Sequence, residues 1–203
     1  MHIVPVGSLN ALLETLDLRR PAAAAHSRRV AAYAGHLAAI VGLPDDEARA
    51  LMQAALVHEA GTLVGPGIAV TDIPGFGTWC GLDGEVAEIL WYAVRPFHRH
   101  RHAPVAARLL AVAHFFDQLA APHEYRTPMP AESARLAIAR EAGRRFCPVA
   151  VNALNAIRLE RLDDGSGAGL VGAGRPDGPA DGAAGRLTTA RRWRSDQRFV
   201  ISS

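Results

Sequence analysis

Apolar residues recur at helical spacing through most of residues 8 to 160, and nothing in that span alternates with period two for long enough to make a strand. The pattern predicts an all-α protein. A first helix is expected over about residues 8–19, with Ser8 as N-cap and Pro21 just beyond its end. The second, over about residues 22–41, sets His26, Val30, Tyr33, Leu37 and Ile40 on one stripe and closes at Gly42, a residue suited to a left-handed C-cap. His26 is therefore expected to face inward. The third opens with Asp45, Asp46 and Glu47, which complement the helix dipole, and runs through Leu51 and Leu56 to His58. Beyond Gly61 the period stops. Seven glycines and two prolines between residues 61 and 84 predict a loop of a length that is either functional or disordered in compact domains. A fourth helix is expected over about 85–94, ahead of Pro96. Pro104 then opens the most apolar helix, about 105–120, which carries His114 and Asp117. Two amphipathic helices, about 131–145 and 148–162, complete a bundle of six to seven helices.

After Asp164 the text changes abruptly, with glycine at 165, 167, 169, 172, 174, 178, 182 and 185 and proline at 176 and 179. Such a segment buries too little apolar surface to offset its ordering entropy. The expected organisation is one domain over 8–163 and a disordered tail over 164–203. The tail ends in Arg191-Arg192-Trp193-Arg194 and Arg198-Phe199-Val200-Ile201. Those residues suit an acidic partner or a membrane surface; the plainer reading is an unselected extension. The 203 residues, 49% of them hydrophobic, suffice for one core. Lys+Arg of 22 against Asp+Glu of 20 gives +2, which makes no case for a specific nucleic-acid partner. Cys80 and Cys147 are far apart, so neither a disulfide framework nor a thiolate metal site is indicated. The first residues lack a charged n-region and a long apolar run, and no stretch approaches the ~18 apolar residues of a membrane span. A cytoplasmic protein with no membrane partner is expected.

Chemistry enters with His58-Glu59, an imidazole and a carboxylate side by side at the end of an apolar helix. With His26 and His114 they form a ligand set drawn from three predicted helices, the arrangement by which an ion clamps a bundle core. Each of these residues alone reads as a core or helix-end group. Together they point to one divalent ion, Fe, Mn, Ni or Zn, with His58 and Glu59 as the catalytic pair and water activated for attack on a phosphoester.

The text around each position resembles the HD superfamily of metal-dependent phosphohydrolases, and more closely its HD-GYP branch, the cyclic diguanylate phosphodiesterases. His26-Ser27-Arg28-Arg29-Val30-Ala31 is similar to H-S-x-R-V-A, and Ala54-Ala55-Leu56-Val57-His58-Glu59-Ala60-Gly61-Thr62 to A-A-L-L-H-D-I-G-K. The run from Ala107 to Asp117 resembles A-R-I-L-A-V-A-D-x-F-D, Tyr125-Arg126-Thr127-Pro128 stands at the Y-R-P segment, and Gly143-Arg144-Arg145-Phe146-Cys147-Pro148 mirrors G-T-Q-F-D-P. The likeness covers about residues 10 to 158 in order and implies an HD-type helical bundle. It departs from the family at several points. Glu59 and His114 stand where the family has aspartates, though both remain capable ligands. Thr62 replaces a lysine, the G-Y-P signature is absent from Trp91-Tyr92-Ala93-Val94-Arg95-Pro96-Phe97, and the stretch before it is short. The resemblance, so altered, implies one ion in an eroded site rather than a multinuclear centre.

His98, His100 and His102 alternate with Arg99 and Arg101. In an extended segment the three imidazoles would share one side and serve as accessory ligands or phosphate contacts; the plain alternative is a solvated basic loop. Asp117 is a further accessory candidate, and Arg95, Arg99 and Arg101 are the candidate phosphate clamps, since guanidinium pairs bidentately with phosphate oxygens. His36 and His123 belong to no constellation. Cyclic diguanylate is the substrate that the resemblance implies, and a phosphomonoester or another nucleotide is as compatible. The competing class is a catalytically inactive HD-type module that acts through a signalling-protein partner. An iron-dependent oxygenase of the same fold would need two metals and more ligands than are found.

Overall fold

The computed structural model describes residues 9–73, 76, 82–122 and 127–157. Among these it contains seven α-helices: α1 Leu9–Arg19, α2 Pro21–Val41, α3 Asp45–Val57, α4 Gly84–Ala93, α5 Val105–Ala120, α6 Ala131–Ala139 and α7 Pro148–Ala156. Short 3-10 turns occupy Ala60–Leu63, Val70–Asp72 and Phe97–Arg99. No strand occurs among the described residues beyond an isolated bridge between Ala142 and Phe146. The all-α expectation holds.

Local chemistry sets the boundaries of the central helix. Pro21 occupies the first turn of α2, where its missing N–H costs no hydrogen bond. At the other end Gly42 adopts φ 68°, and the N–H groups of Gly42 and Leu43 reach the carbonyls of Ala39 at 3.3 Å and Ala38 at 2.9 Å. That paired closure satisfies two end carbonyls and turns the chain back into α3. The two helices pack side by side, so the start of α2 meets the end of α3.

The core is drawn from all seven helices: Leu16, Leu37, Leu51, Ile89, Leu109, Phe116, Ile138 and Leu154 are all fully buried. Each such side chain contributes roughly 1.5–3 kcal/mol of transfer free energy. α2 packs on α3, α5 and α7, α4 covers α3 and α5, and α6 lies on α5 and α7. Tyr33 and Phe116 cross edge to face at 5.3 Å between ring centres and lock α2 against α5.

Several expectations need correction. Ile40 is 45% exposed, so the inward stripe of α2 ends at Leu37. The long loop contains two 3-10 turns rather than lacking local structure. α6 stops at Ala139 and a turn with Gly143 at φ 79° follows, because the chain must reverse before Pro148. The last predicted helix, about 148–162, stops at Ala156, where Ile157 turns to extended backbone, while the proposed N-cap Ser8, the boundary at 163 and the tail lie outside the described residues.

Candidate metal centre

His26 lies in the second turn of α2, His58 caps the end of α3, Glu59 follows it, and His114 sits in the later half of α5. Packing of these three helices brings one donor atom from each of the four residues within 4.8 Å of the others. Centres of the three imidazole rings are 4.9 to 5.2 Å apart. The Nε2 atoms of His26 and His58 approach to 3.2 Å, and Glu59 Oε1 lies 3.6 Å from the latter and 3.9 Å from the former.

The surroundings decide which ring nitrogens carry protons. His58 Nδ1 donates to the carbonyl of Ala55 at 2.7 Å, one of the acceptors left free at the end of α3, so its Nε2 presents a lone pair. His26 Nδ1 lies 2.6 Å from Asp117 Oδ2. Burial pushes the Asp117 carboxyl up, but hydrogen bonds from His26 and Arg29 outweigh it and hold the group below its ordinary range. An ionised carboxylate only accepts, so His26 also turns a lone pair toward the cluster when neutral. Facing lone pairs are satisfied by a cation, whether a proton or a metal ion.

Burial dominates the electrostatics. It lowers His58 to about 3, helped by His114 and His26, and lowers His114 to about 4, helped by His26 and Arg145. Both rings are thus kept neutral, the form that ligates metals. His114 Nε2 is buried without a hydrogen-bond partner. Two imidazole nitrogens on one tetrahedral ion, each bonded at about 2.0–2.1 Å, would stand about 3.3 Å apart. The donor set therefore fits a divalent cation of the transition series.

Asp117 is not a fifth member. It supports the centre from behind, taking His26 on one oxygen and Arg29 Nε and Nη2 at 2.8 and 2.9 Å. Reading the sequence missed Arg29, although it stands in the first histidine motif. Arg95 and Arg99 line a cleft of about 1140 Å³ that reaches His114. Arg101 does not line it; its carbonyl accepts from Arg108 Nη2 at 2.6 Å. His98 lies in the 3-10 turn Phe97–Arg99 and the chain continues through His100 and His102 as a turn rather than an extended segment, with only the latter two rings in contact. His98 Nδ1 donates to the Arg144 carbonyl at 2.9 Å, while His100 and His102 stack around Tyr92, whose hydroxyl meets His102 Nε2 at 2.9 Å. None of the three joins the four-residue cluster. Arg144 and Arg145, quoted above only as part of a motif, line the same cleft and were also missed.

The all-α bundle, with imidazoles and a carboxylate gathered from three helices, agrees with an HD-type domain. In agreement, the chain is 29% identical over 153 residues to the 3'3'-cGAMP-specific phosphodiesterase 3 of Vibrio cholerae, an alignment covering 62% of this chain and 33% of that relative. The crystal structure of a cyclic GMP-AMP specific phosphodiesterase of V. cholerae, V-cGAP3, matches with a TM-score of 0.52 at 27% identity, over 75% of this chain and 41% of that one. The chain thus spans well under half the length of these proteins. No family model matches it. The likeness supports an HD-domain phosphohydrolase relationship and, with the His/Glu cluster, a divalent metal. No helix among the described residues is long and apolar enough to cross a membrane.

Proposed function

We propose that this chain is a metal-dependent phosphoester hydrolase domain that holds one divalent ion on His26, His58, Glu59 and His114 and acts on a cyclic dinucleotide. The observation that carries the reading is the convergence of four donor atoms within 4.8 Å, one of them the buried and unpartnered Nε2 of His114. A bound divalent ion supplies charge neutralisation at the phosphoryl group and a lowered pKa for water. The protein's own part is positional. Ala55 and Asp117 fix the two ring orientations, and Arg29 holds Asp117. Glu59, whose side chain is 25% exposed, can accept a proton from water beside the cluster. Arg99 pairs with phosphate oxygens from the cleft wall, and Arg95, held on Trp91, adds positive charge beside it. The cyclic dinucleotide assignment rests on the names of the V. cholerae relatives. The single ion is assigned because the G-Y-P signature of the resembled branch is absent and the stretch before it is short, while Glu59 and His114 remain capable ligands.

One observation favours a second reading, an inactive interaction module. Thr62 stands where the resembled motif has lysine, and its hydroxyl is spent on the carbonyl of Glu59 at 2.7 Å, leaving no cation there for a phosphate. Elemental analysis of the purified protein separates the two: the hydrolase reading expects about one ion per chain, lost together with hydrolysis of 3'3'-cGAMP and cyclic diguanylate in His58→Ala. Protein that stays metal-free after reconstitution leaves only the module.

A further inference from the structure

The cleft that reaches His114 has more positive charge than its own residues neutralise. Arg95, Arg99, Arg144 and Arg145 line it, with Glu141 as the carboxylate among them. Glu141 is taken by Arg144, whose Nε and Nη2 lie 3.0 and 3.5 Å from its two oxygens. Arg95 is occupied too, donating to the Trp91 carbonyl and stacking on that indole at 3.2 Å from the ring centre. Arg145 has no carboxylate partner among the described residues.

It is nevertheless held in place. Its guanidinium carbon lies 4.2 Å from the ring centre of Phe115 and 5.3 Å from that of Phe146. Stacking of this kind orients the planar donor fork while leaving its edge free for oxygen acceptors. Phe115 adjoins His114 in sequence, and both line the cleft together with Arg145. Backbone bonds from Phe97 and His98 to the carbonyls of Arg145 and Arg144, at 3.0 and 2.9 Å, join Arg99 and Arg145 into one wall. At about 1140 Å³ the cleft exceeds the roughly 300–1,000 Å³ of ordinary small-molecule sites, so it has room beyond a single phosphoester.

We propose that Arg145 is a specificity-determining residue of this site, binding the non-reacting phosphate of a two-phosphate ligand whose other phosphate lies at the His/Glu cluster. The assignment rests on the hydrolase reading above but tests separately from it. Full-length protein as purified is titrated calorimetrically with non-hydrolysable phosphorothioate analogues of 3'3'-cGAMP and of adenosine 3',5'-cyclic monophosphate. Wild type is expected to prefer the dinucleotide by about tenfold or more, the value of one charge-assisted hydrogen-bond pair. Arg145→Gln should shrink that preference to about threefold or less, and Arg145→Lys, which keeps charge but not the fork, should fall between. The side chain is exposed, so the melting temperature of each variant should match wild type. An undiminished preference in Arg145→Gln, or no dinucleotide binding by wild type, overturns the assignment. Metal content of wild type and Arg145→Gln should be equal, and loss of metal from the variant alone also overturns it. If both lack metal while the preference behaves as described, the hydrolase reading fails and the role of Arg145 stands.

Discussion

His26 and Asp117, separated by 91 positions in the chain, are joined at 2.6 Å through Nδ1 and Oδ2, and Arg29 grips the same carboxylate with two bonds. The Asp117 side chain is 1% exposed. An ionised carboxylate so deep in a bundle persists only because two donors compensate it. Its consequence is a fixed tautomer for His26, with Nε2 aimed at His58.

Asp117→Asn keeps the shape and removes the charge. Metal affinity is expected to fall about 10–100-fold, the usual effect of losing the carboxylate behind a ligating imidazole. Stability should fall by about 1–3 kcal/mol, because the Arg29 bonds lose their charged acceptor. Competitive metal titration and urea unfolding measure the two. Unchanged affinity would mean that packing alone orients His26.

Gly61 constrains the backbone next to Glu59. A Cβ there would stand 2.1 Å from the carbonyl oxygen of Ile68 and 2.7 Å from the carbonyl carbon of Ala69, both rigid backbone. Gly61→Ala must therefore push apart the two 3-10 turns that follow α3, at a cost of about 1–3 kcal/mol or more. Glu59 lies two residues away, so metal uptake should weaken in parallel. A variant with the wild-type urea midpoint would show that this contact yields freely.

Much of this was legible because helices repeat locally. The 3.6-residue period, Pro21 and Gly42 bounded α2 almost to the residue, and the same period turned His26 inward. The cluster of His26, His58, Glu59 and His114 was readable from motif resemblance and ligand chemistry. What escaped notice depends on contacts between distant segments. Arg29 and Asp117 are 88 positions apart, and no local pattern pairs them. The segment from His98 to His102 alternates like a strand, yet Phe97 and His98 are tied by backbone bonds to Arg145 and Arg144, and Phe97–Arg99 curls into a 3-10 turn. Arg145 stood in plain view as half of an Arg-Arg pair, but its stacking on Phe115 belongs to the tertiary fold.

A buried cation closes the last described helix. Arg135 is 8% exposed, and its Nη2 donates to the Ile157 carbonyl at 2.5 Å, just past the end of α7, where a positive charge also meets the favourable end of the helix dipole. Arg135→Leu should destabilise the protein by about 1–3 kcal/mol by leaving that carbonyl unpaired. Metal content should be unaffected, since Arg135 is remote from the cluster in sequence and absent from it in space. Thermal melting with elemental analysis checks both; loss of metal in this variant would show that the α7 end and the centre are coupled.

The two buried imidazoles give the metal-free protein a defined sensitivity to acid. His58 and His114 are held near 3 and 4 against an ordinary value of 6.5, first by burial and then by neighbouring imidazoles. Both folded values lie below the unfolded one, so between them the unfolded chain binds protons that the native state refuses. Stability is accordingly complete above pH 6.5, declines as pH falls below it, and stops declining on this account near pH 4 for His114 and pH 3 for His58. Asp117 acts in a separate window. Its carboxyl is depressed below the ordinary 3.8, so its contribution is lost only under more acidic conditions. Urea unfolding of chelator-treated protein at pH 7.5 and pH 5 should therefore differ by about 2–4 kcal/mol, from two groups at about 1.4 kcal/mol per pH unit each. His114→Gln should roughly halve that slope. A slope that is flat between pH 6.5 and 5 would show that these rings take up protons in the native state and are not held neutral for a metal.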